Sequence, residues 1–321
     1  MTQPTPHRPD LSRKRFQSLK IVSLFLFVGR RTVATSVQLP AFLSSRSTTL
    51  PKYSTTFPHQ YFSAQPLQSS LLNDKQQSPN MAATSSVASN LEDVRDRVKV
   101  AAESNGIDLE TVRLVAVSKT KPEEMLMEAY EAGQRYFGEN YAQELMSKAE
   151  SLPDDIKWHF IGPLQSNKAA PLVRRVGTKL ACVETVATLK LAKKLDSAVS
   201  NLESDEEEKF KLNIFLQVNT SGEESKSGLK PEEVAPLATV ICDQCPNLRV
   251  KGLMTIGETG DMGCFDILMQ CRDNLVKECG MNNLELSMGM SGDFEQAISR
   301  GATNVRVGST IFGARDYAAS K

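Results

Sequence analysis

The stretch LVAVSKTKP, residues 114–122, decides the fold. Leu114, Val115, Ala116 and Val117 make the short apolar run of a strand buried on both faces. Ser118 and Lys119 follow at once, and Pro122 then opens PEEMLMEAYEAG, which reads as a helix ending at a glycine. An ammonium group therefore stands where a buried strand ends and its helix has yet to begin.

Outward from this unit the same alternation repeats. Upstream, SNLEDVRDRVKVAAESNG, residues 89–106, reads as one additional helix stopped by Gly106. The candidate strands are 112–118, 135–140, 157–162, 179–184, 212–219, 249–257, 284–289 and 304–308. Helical runs separate them at 122–132, 140–150, 166–175, 186–200, 230–243, 263–279 and 292–300. Eight such units are the pattern of an α/β protein with a parallel sheet, and residues 81–321 match a single (β/α)8 TIM barrel in size. An open doubly wound sheet is the competing architecture. It calls for a glycine-rich turn after the first strand, and SKTKP contains none.

The charge pattern separates a second region. Residues 1–80 hold ten basic residues and only two acids, whereas the remainder carries 28 basic and 36 acidic residues. An Arg- and Ser-rich, acid-poor extension has the composition of an organellar transit peptide. The alternative is an upstream segment with no targeting role, Met81 serving as a start. Residues 1–80 are expected to be disordered, and the chain to work in the cytoplasm, or in the mitochondrion or chloroplast if the extension is a targeting signal. The nine-residue apolar run IVSLFLFVG (21–29) falls well short of the roughly 20 residues a membrane-spanning helix needs. The acidic domain offers no basic patch for nucleic acid. Its Cys242 and Cys245 form one CDQC with a single histidine, His159, elsewhere in the domain, so reduced structural thiols fit better than a zinc site.

In a barrel of this kind the C-terminal strand ends and the loops after them converge on one mouth. Lys119 lies there, as do Glu139 and Asn140 after the second strand, while His159 sits within the third. A lysine beside a dry core is partly desolvated, which favours the nucleophilic amine and suits capture of an aldehyde. The plainer alternative is a lysine that reaches solvent or pairs with Glu139. Across the chain, SMGMSGDFEQAI (287–298) places Ser291 and Gly292 at a helix start, with Asp293 placed to favour its first turn. NVRVGSTIFGAR (304–315) adds Gly308, Ser309 and Thr310. Small residues let backbone N–H groups approach an anion, hydroxyls add donors, and loops seven and eight are where barrels commonly bind phosphate. Arg306, between Val305 and Val307, should face inward and need a partner, either a pyridine nitrogen or a carboxylate such as Asp293. The set describes a site for an aldehyde that carries a phosphate.

LVAVSKTKP, FGENYAQE, WHFIGPLQSNK, NTSGEESKSG, KGLMTIG, SMGMSGDFEQAI and VRVGSTIFGARDY together resemble the YggS/PROSC family of pyridoxal phosphate homeostasis proteins. The barrel of that family is similar to the N-terminal domain of alanine racemase, and the likeness runs from about residue 91 to 317 in matching order. The resemblance implies pyridoxal 5′-phosphate (PLP) as cofactor, with the aldimine on Lys119. It implies that Ser291, Gly292, Gly308, Ser309 and Thr310 surround the phosphate, and that Arg306 faces the ring nitrogen. Asn140 and His159 fall in motifs that lie beside the cofactor in the family. Gly292 stands where bacterial members tend to carry an acidic residue.

The expected role is a non-catalytic carrier or buffer of PLP in intracellular vitamin B6 homeostasis. The expected recipients are apo PLP-dependent enzymes, and the expected state is a monomer or weak dimer without nucleic acid or membrane. The alternative is a single-domain PLP-dependent racemase or lyase of weak activity. Two-base racemisation needs a proton acceptor on each cofactor face. The chain ends a few residues after FGAR, without the racemases' second domain, and Tyr141 and Tyr317 are the nearby tyrosines. The loop lysine Lys226 is expected to be a surface charge, the alternative being a second amine able to capture the aldehyde.

Overall fold

Successive side chains on a strand point to opposite faces, so each short strand serves an interior on one side and a helix layer on the other. In the computed structural model this division is repeated eight times around a closed ring. The structure describes residues 86–202, 209–223, 226–258 and 260–314. The strands are β1 (Arg113–Val117), β2 (Tyr136–Glu139), β3 (Lys157–Phe160), β4 (Leu180–Val186), β5 (Leu212–Gln217), β6 (Leu248–Met254), β7 (Glu285–Ser287) and β8 (Asn304–Val307). All are parallel, and β8 closes on β1 with Val115 opposite Arg306. Closure excludes the open doubly wound sheet.

The intervening helices are α2 (Glu123–Glu131), α3 (Ala142–Ser151), α4 (Ala169–Val176), α5 (Leu189–Val199), α6 (Val234–Gln244), α7 (Gly263–Cys279) and α8 (Phe294–Ser299). A one-turn helix, α9 (Ser309–Phe312), follows β8 and was not expected from the sequence. The additional helix α1 (Val87–Ser104) is capped by the Ser86 hydroxyl, which accepts from Ser89 N. Its buried face, Leu91, Val94, Val98 and Ala102, packs across α8 and α9. Those two helices have six and four residues, too short to cover their strands, and α1 completes the layer.

The two faces of the strands differ sharply. Phe137, Trp158, Phe160, Ile214, Leu216, Leu286, Val305 and Val307 point outward into one continuous apolar layer shared with the helices. The interior holds His159, Glu184, Ser287, Asn304 and Arg306, all buried, beside a small apolar group of Cys182, Phe215 and Met254. β4 runs two residues past its expected end, to Val186, with a register shift against β5 that keeps Thr185 and Val186 buried. Cys242 and Cys245 lie at the C-terminal end of α6, and all six thiols are free. Among the described residues no helix is long and apolar enough to cross a membrane. The extension, residues 1–80, with its transit-peptide reading lies outside the described residues.

Candidate functional site

The chain leaves β1 through a tight turn in which Lys121 N donates to Ser118 O at 3.1 Å. Thr120 adopts a left-handed backbone at φ 61°, uncommon for a β-branched residue. Between them Lys119 is half-buried and lines a cavity of about 240 Å3 at the C-terminal ends of β1, β7 and β8. Ser291, Gly292, Arg306, Gly308 and Ser309 line the same cavity, with Lys121 beside them. Thr310 is the second residue of α9, next to Ser309, and is not among the lining residues. No carboxylate lines this cavity among the described residues.

The two glycine-containing loops are tied to each other. Gly308 N donates to Ser291 Oγ at 3.2 Å. A Cβ on Gly308 would lie 3.2 Å from Val117 O and 3.3 Å from Val117 Cβ, so only glycine lets this loop lie against β1 without displacement. Asp293 stands at the N-cap of α8, at the helix start where the sequence placed it, and makes no side-chain cap hydrogen bond there. Its carboxylate accepts from Met290 N at 2.6 Å instead, a local turn that competes with capping.

Arg306 faces the interior, as the outward packing of Val305 and Val307 requires. Its Nη1 donates to Ser287 Oγ and its Nη2 to Thr255 O at 2.7 Å. The nearest carboxylate is Glu184, with Oε2 3.9 Å from Nη1, rather than the Asp293 weighed from the sequence. Glu184 also accepts from Ser287 Oγ at 2.6 Å and Asn304 Nδ2 at 3.2 Å, and its Oε1 lies 2.5 Å from His159 Nδ1. Burial pushes the Glu184 carboxyl up, but His159, Arg306 and Ser287 outweigh it and hold it below the usual carboxylate range. Burial lowers the Arg306 pKa, opposed by Glu184 and Asp293, and a guanidinium stays charged at any ordinary pH.

Asn140 and His159 are placed differently from the other expected site residues. Asn140 lines an adjoining mouth cavity of about 270 Å3 that shares Ile161 with the first. Its Oδ1 is buried without a hydrogen-bond partner. Lys226 lines this second cavity too and pairs with Glu223 at 2.9 Å, a partly exposed ion pair at the cavity's edge. His159 instead lines a cavity of about 150 Å3 with Arg113, Lys157, Lys251 and Glu285, near the N-terminal ends of the strands. It connects to the mouth through Glu184 and Ser287. Tyr141 precedes α3 and is 58 % exposed, and Tyr317 lies outside the described residues.

The family profile described as alanine racemase, N-terminal domain, matches residues 87–316. The human pyridoxal phosphate homeostasis protein is 46 % identical over 253 residues, covering 74 % of this chain and 90 % of that protein. The pyridoxal phosphate homeostasis protein of Pseudomonas aeruginosa is 44 % identical over 238 residues, covering 73 % and 98 %. The chain belongs to the pyridoxal phosphate homeostasis family. Among solved structures, PipY of Synechococcus elongatus with PLP bound matches at 31 % identity and a TM-score of 0.55, covering 68 % of this chain and all of that one. Alanine racemase of Clostridium difficile, at 12 % identity and a TM-score of 0.52 over 71 % of this chain and 58 % of that one, shares the fold alone.

In this family member two sets of residues support the mouth beyond those the sequence singles out, of which only Glu139 was expected there. Glu184 and Ser287 hold Arg306 and His159 in one network, though in the sequence they read only as strand residues. The other set is Glu139 with Lys148. Lys148 Nζ donates at 2.8 Å to Glu139 Oε1, so the ammonium paired with this carboxylate is not the Lys119 considered from the sequence. Burial raises the Glu139 pKa to about 7, with Lys148 pulling it down and Glu144 pushing it up. The i, i+4 spacing of Glu144 and Lys148 on α3 was the available signal.

Proposed function

We propose that this chain holds PLP in the cavity at the ends of β1, β7 and β8 and serves intracellular PLP homeostasis as a non-catalytic carrier. The observation that carries the reading is the cavity's chemistry: a half-buried amine, two further cationic side chains and small hydroxyl-bearing residues, with no lining carboxylate among the described residues. Such a set fits a doubly charged phosphate attached to an aldehyde. The family's name and the PLP-bound PipY structure support the same cofactor. When bound, PLP supplies an electrophilic carbonyl carbon.

In this reading Lys119 would supply the amine that holds that carbon reversibly, the carbonyl oxygen leaving as water. The loops with Ser291, Gly292, Gly308 and Ser309 would hold the phosphate by hydroxyl and backbone donors, with Thr310 beside them at the start of α9. Arg306 would face the ring nitrogen and donate to it, and a guanidinium that stays charged would keep that nitrogen unprotonated. Asn140 stands at the edge of the cofactor, and His159 contributes through Glu184 and Ser287, which orient Arg306. No tyrosine lines either mouth cavity among the described residues, which favours a carrier over a two-base racemase. Apo PLP-dependent enzymes are the intended recipients, and the protein works as a monomer or weak dimer without nucleic acid or membrane. Its compartment is the cytoplasm, or the mitochondrion or chloroplast if residues 1–80 act as a transit peptide.

Borohydride reduction of the PLP-loaded protein followed by peptide mapping tests the core of the proposal. The label is expected on the peptide carrying Lys119; no label, or a label on another lysine, overturns it. Transfer of PLP to an apo-enzyme faster than spontaneous dissociation supports the carrier role. Rapid solvent-deuterium exchange at Cα of free amino acids would reverse it in favour of a catalyst. Mass spectrometry of the mature N-terminus decides whether residues 1–80 are removed on import.

A further inference from the structure

Behind the β1 turn lies a group of buried charges that the proposed cofactor contacts do not use. Lys148, on α3, is 5 % exposed, and Glu139, at the end of β2, is fully buried. An ammonium has three N–H donors, and all three of Lys148 are engaged. They go to Ser118 O at 2.8 Å, Glu139 Oε1 at 2.8 Å and Glu144 Oε1 at 2.6 Å. Each of these two carboxylate oxygens also accepts a bond from the turn. Ser118 Oγ donates to Glu139 Oε1 at 2.7 Å, and Thr120 N donates to Glu144 Oε1 at 2.7 Å. The residues on either side of Lys119 are thus fixed at three points that converge on one nitrogen.

The turn needs such fixing. Thr120 sits at φ 61°, where a β-branched residue is strained and persists only if its surroundings over-determine it. Without the anchor at its N–H, Thr120 would relax to an ordinary backbone conformation and carry Lys119 with it. Burying an ammonium among two carboxylates is costly unless every donor and the tertiary geometry are satisfied. The cost makes sense if the network holds a neighbour in place.

We propose that Lys148 is a positioning residue for Lys119, its ammonium clamping Ser118 directly and Thr120 through Glu144 so that the Lys119 amine is presented to the cofactor cavity. This rests on the reading of Lys119 as the PLP-holding lysine. Burial raises the Glu139 pKa to about 7 against the pull of Lys148, in keeping with the dry surroundings of the clamp.

The test compares the full-length wild type with Lys148→Met in two measurements. The first is the rate of PLP capture, followed by the visible absorbance of the C=N link after rapid mixing. The second is the equilibrium affinity for 4-deoxypyridoxine 5′-phosphate, which has the ring and phosphate but no aldehyde. Lys148→Met is expected to slow capture by about tenfold or more, the scale of releasing a strained backbone residue. Affinity for the aldehyde-free analogue should stay within about twofold, since the phosphate loops are untouched. Adding Thr120→Gly should restore part of the rate, because glycine holds a positive φ without a clamp.

Unchanged capture, a parallel loss of both ligands, or no recovery with Thr120→Gly overturns the proposal. If Lys148→Met fails to fold by circular dichroism, Glu144→Ala takes its place; it removes the Thr120 anchor together with one of the three acceptors of Lys148 and should slow capture severalfold, and unchanged capture overturns the proposal. A wild type that develops no absorbance band refutes the Lys119 reading itself, an outcome distinct from a wild type and variant that capture alike.

Discussion

The outward and inward faces of the eight strands make two different kinds of interior from the same short segments. Outside, between strands and helices, the layer is apolar and continuous. Inside, His159, Glu184, Ser287, Asn304 and Arg306 form a chain of hydrogen bonds that reaches from the mouth toward the opposite end. The outer layer removes apolar surface from water and makes the fold stable. The inner network adds little to that but fixes a cation beneath the mouth. Stability and chemistry are thereby assigned to alternate residues of one strand, as β3 shows with Trp158 outward and His159 inward.

The sharpest way to break that division is at the mouth. Lys119→Ala should abolish covalent PLP capture while changing unfolding free energy by no more than about 0.5 kcal/mol, because the half-buried side chain is outside the apolar layer. Urea titration beside absorbance with PLP checks both, and a large loss of stability would mean the two roles are not separate. In the outer layer Trp158→Ala should cost about 3–5 kcal/mol through transfer and cavity terms. A change below about 1 kcal/mol would place the stability elsewhere. In the inner network, Glu184→Ala should cost about 3 kcal/mol, since it leaves Arg306 buried without a compensating charge. Glu184→Gln, which keeps the acceptor, should cost less.

The Glu139 carboxyl gives a smaller effect with a defined pH window. Its folded pKa is raised, to about 7, so its contribution to stability is fully present below the unfolded pKa near 4.5 and is lost as pH rises through about 7. The groups facing it are Lys148, Glu144 and Ser118. Glu184 and Glu285 are shifted the other way and stay ionised across this window. Glu139→Gln should therefore flatten the decline in melting temperature between pH 5 and pH 8, a difference of at most about 3 kcal/mol at one pKa unit per 1.36 kcal/mol. An unchanged pH profile would mean that the carboxyl titrates normally. The smallest effect belongs to Tyr141→Phe, which should leave PLP retention and stability as they are; impaired retention would reopen the question of a catalytic tyrosine.

How much of this was readable beforehand follows from the range of the interactions. Strand and helix order depends on local periodicity, and the eight strands fall where alternation places them. The mouth residues Lys119, Ser291 and Gly308 were visible because strand ends and small-residue loops are local signals too. Arg306 could be turned inward from its two valine neighbours, but its partner could not be named. Glu184 is more than a hundred residues away in the chain, and no spacing rule links β4 to β8 across a barrel. The same holds for Lys148, whose role depends on a turn 30 residues earlier. The one-turn α9 is too short to leave a period, and the bond Asp293 accepts from Met290 N could not be named, because a short carboxylate side chain can serve either a helix or the loop before it.

The outward side of β3 has one more consequence. Trp158 is the chain's single tryptophan, fully sheltered against Phe137 and adjacent in sequence to His159. Its fluorescence is therefore a built-in gauge that needs no added dye. A red shift in emission would report the loss of the packed layer, and quenching by energy transfer to a bound yellow chromophore would report the filling of the basin. One indole can follow unfolding and loading in the same cuvette.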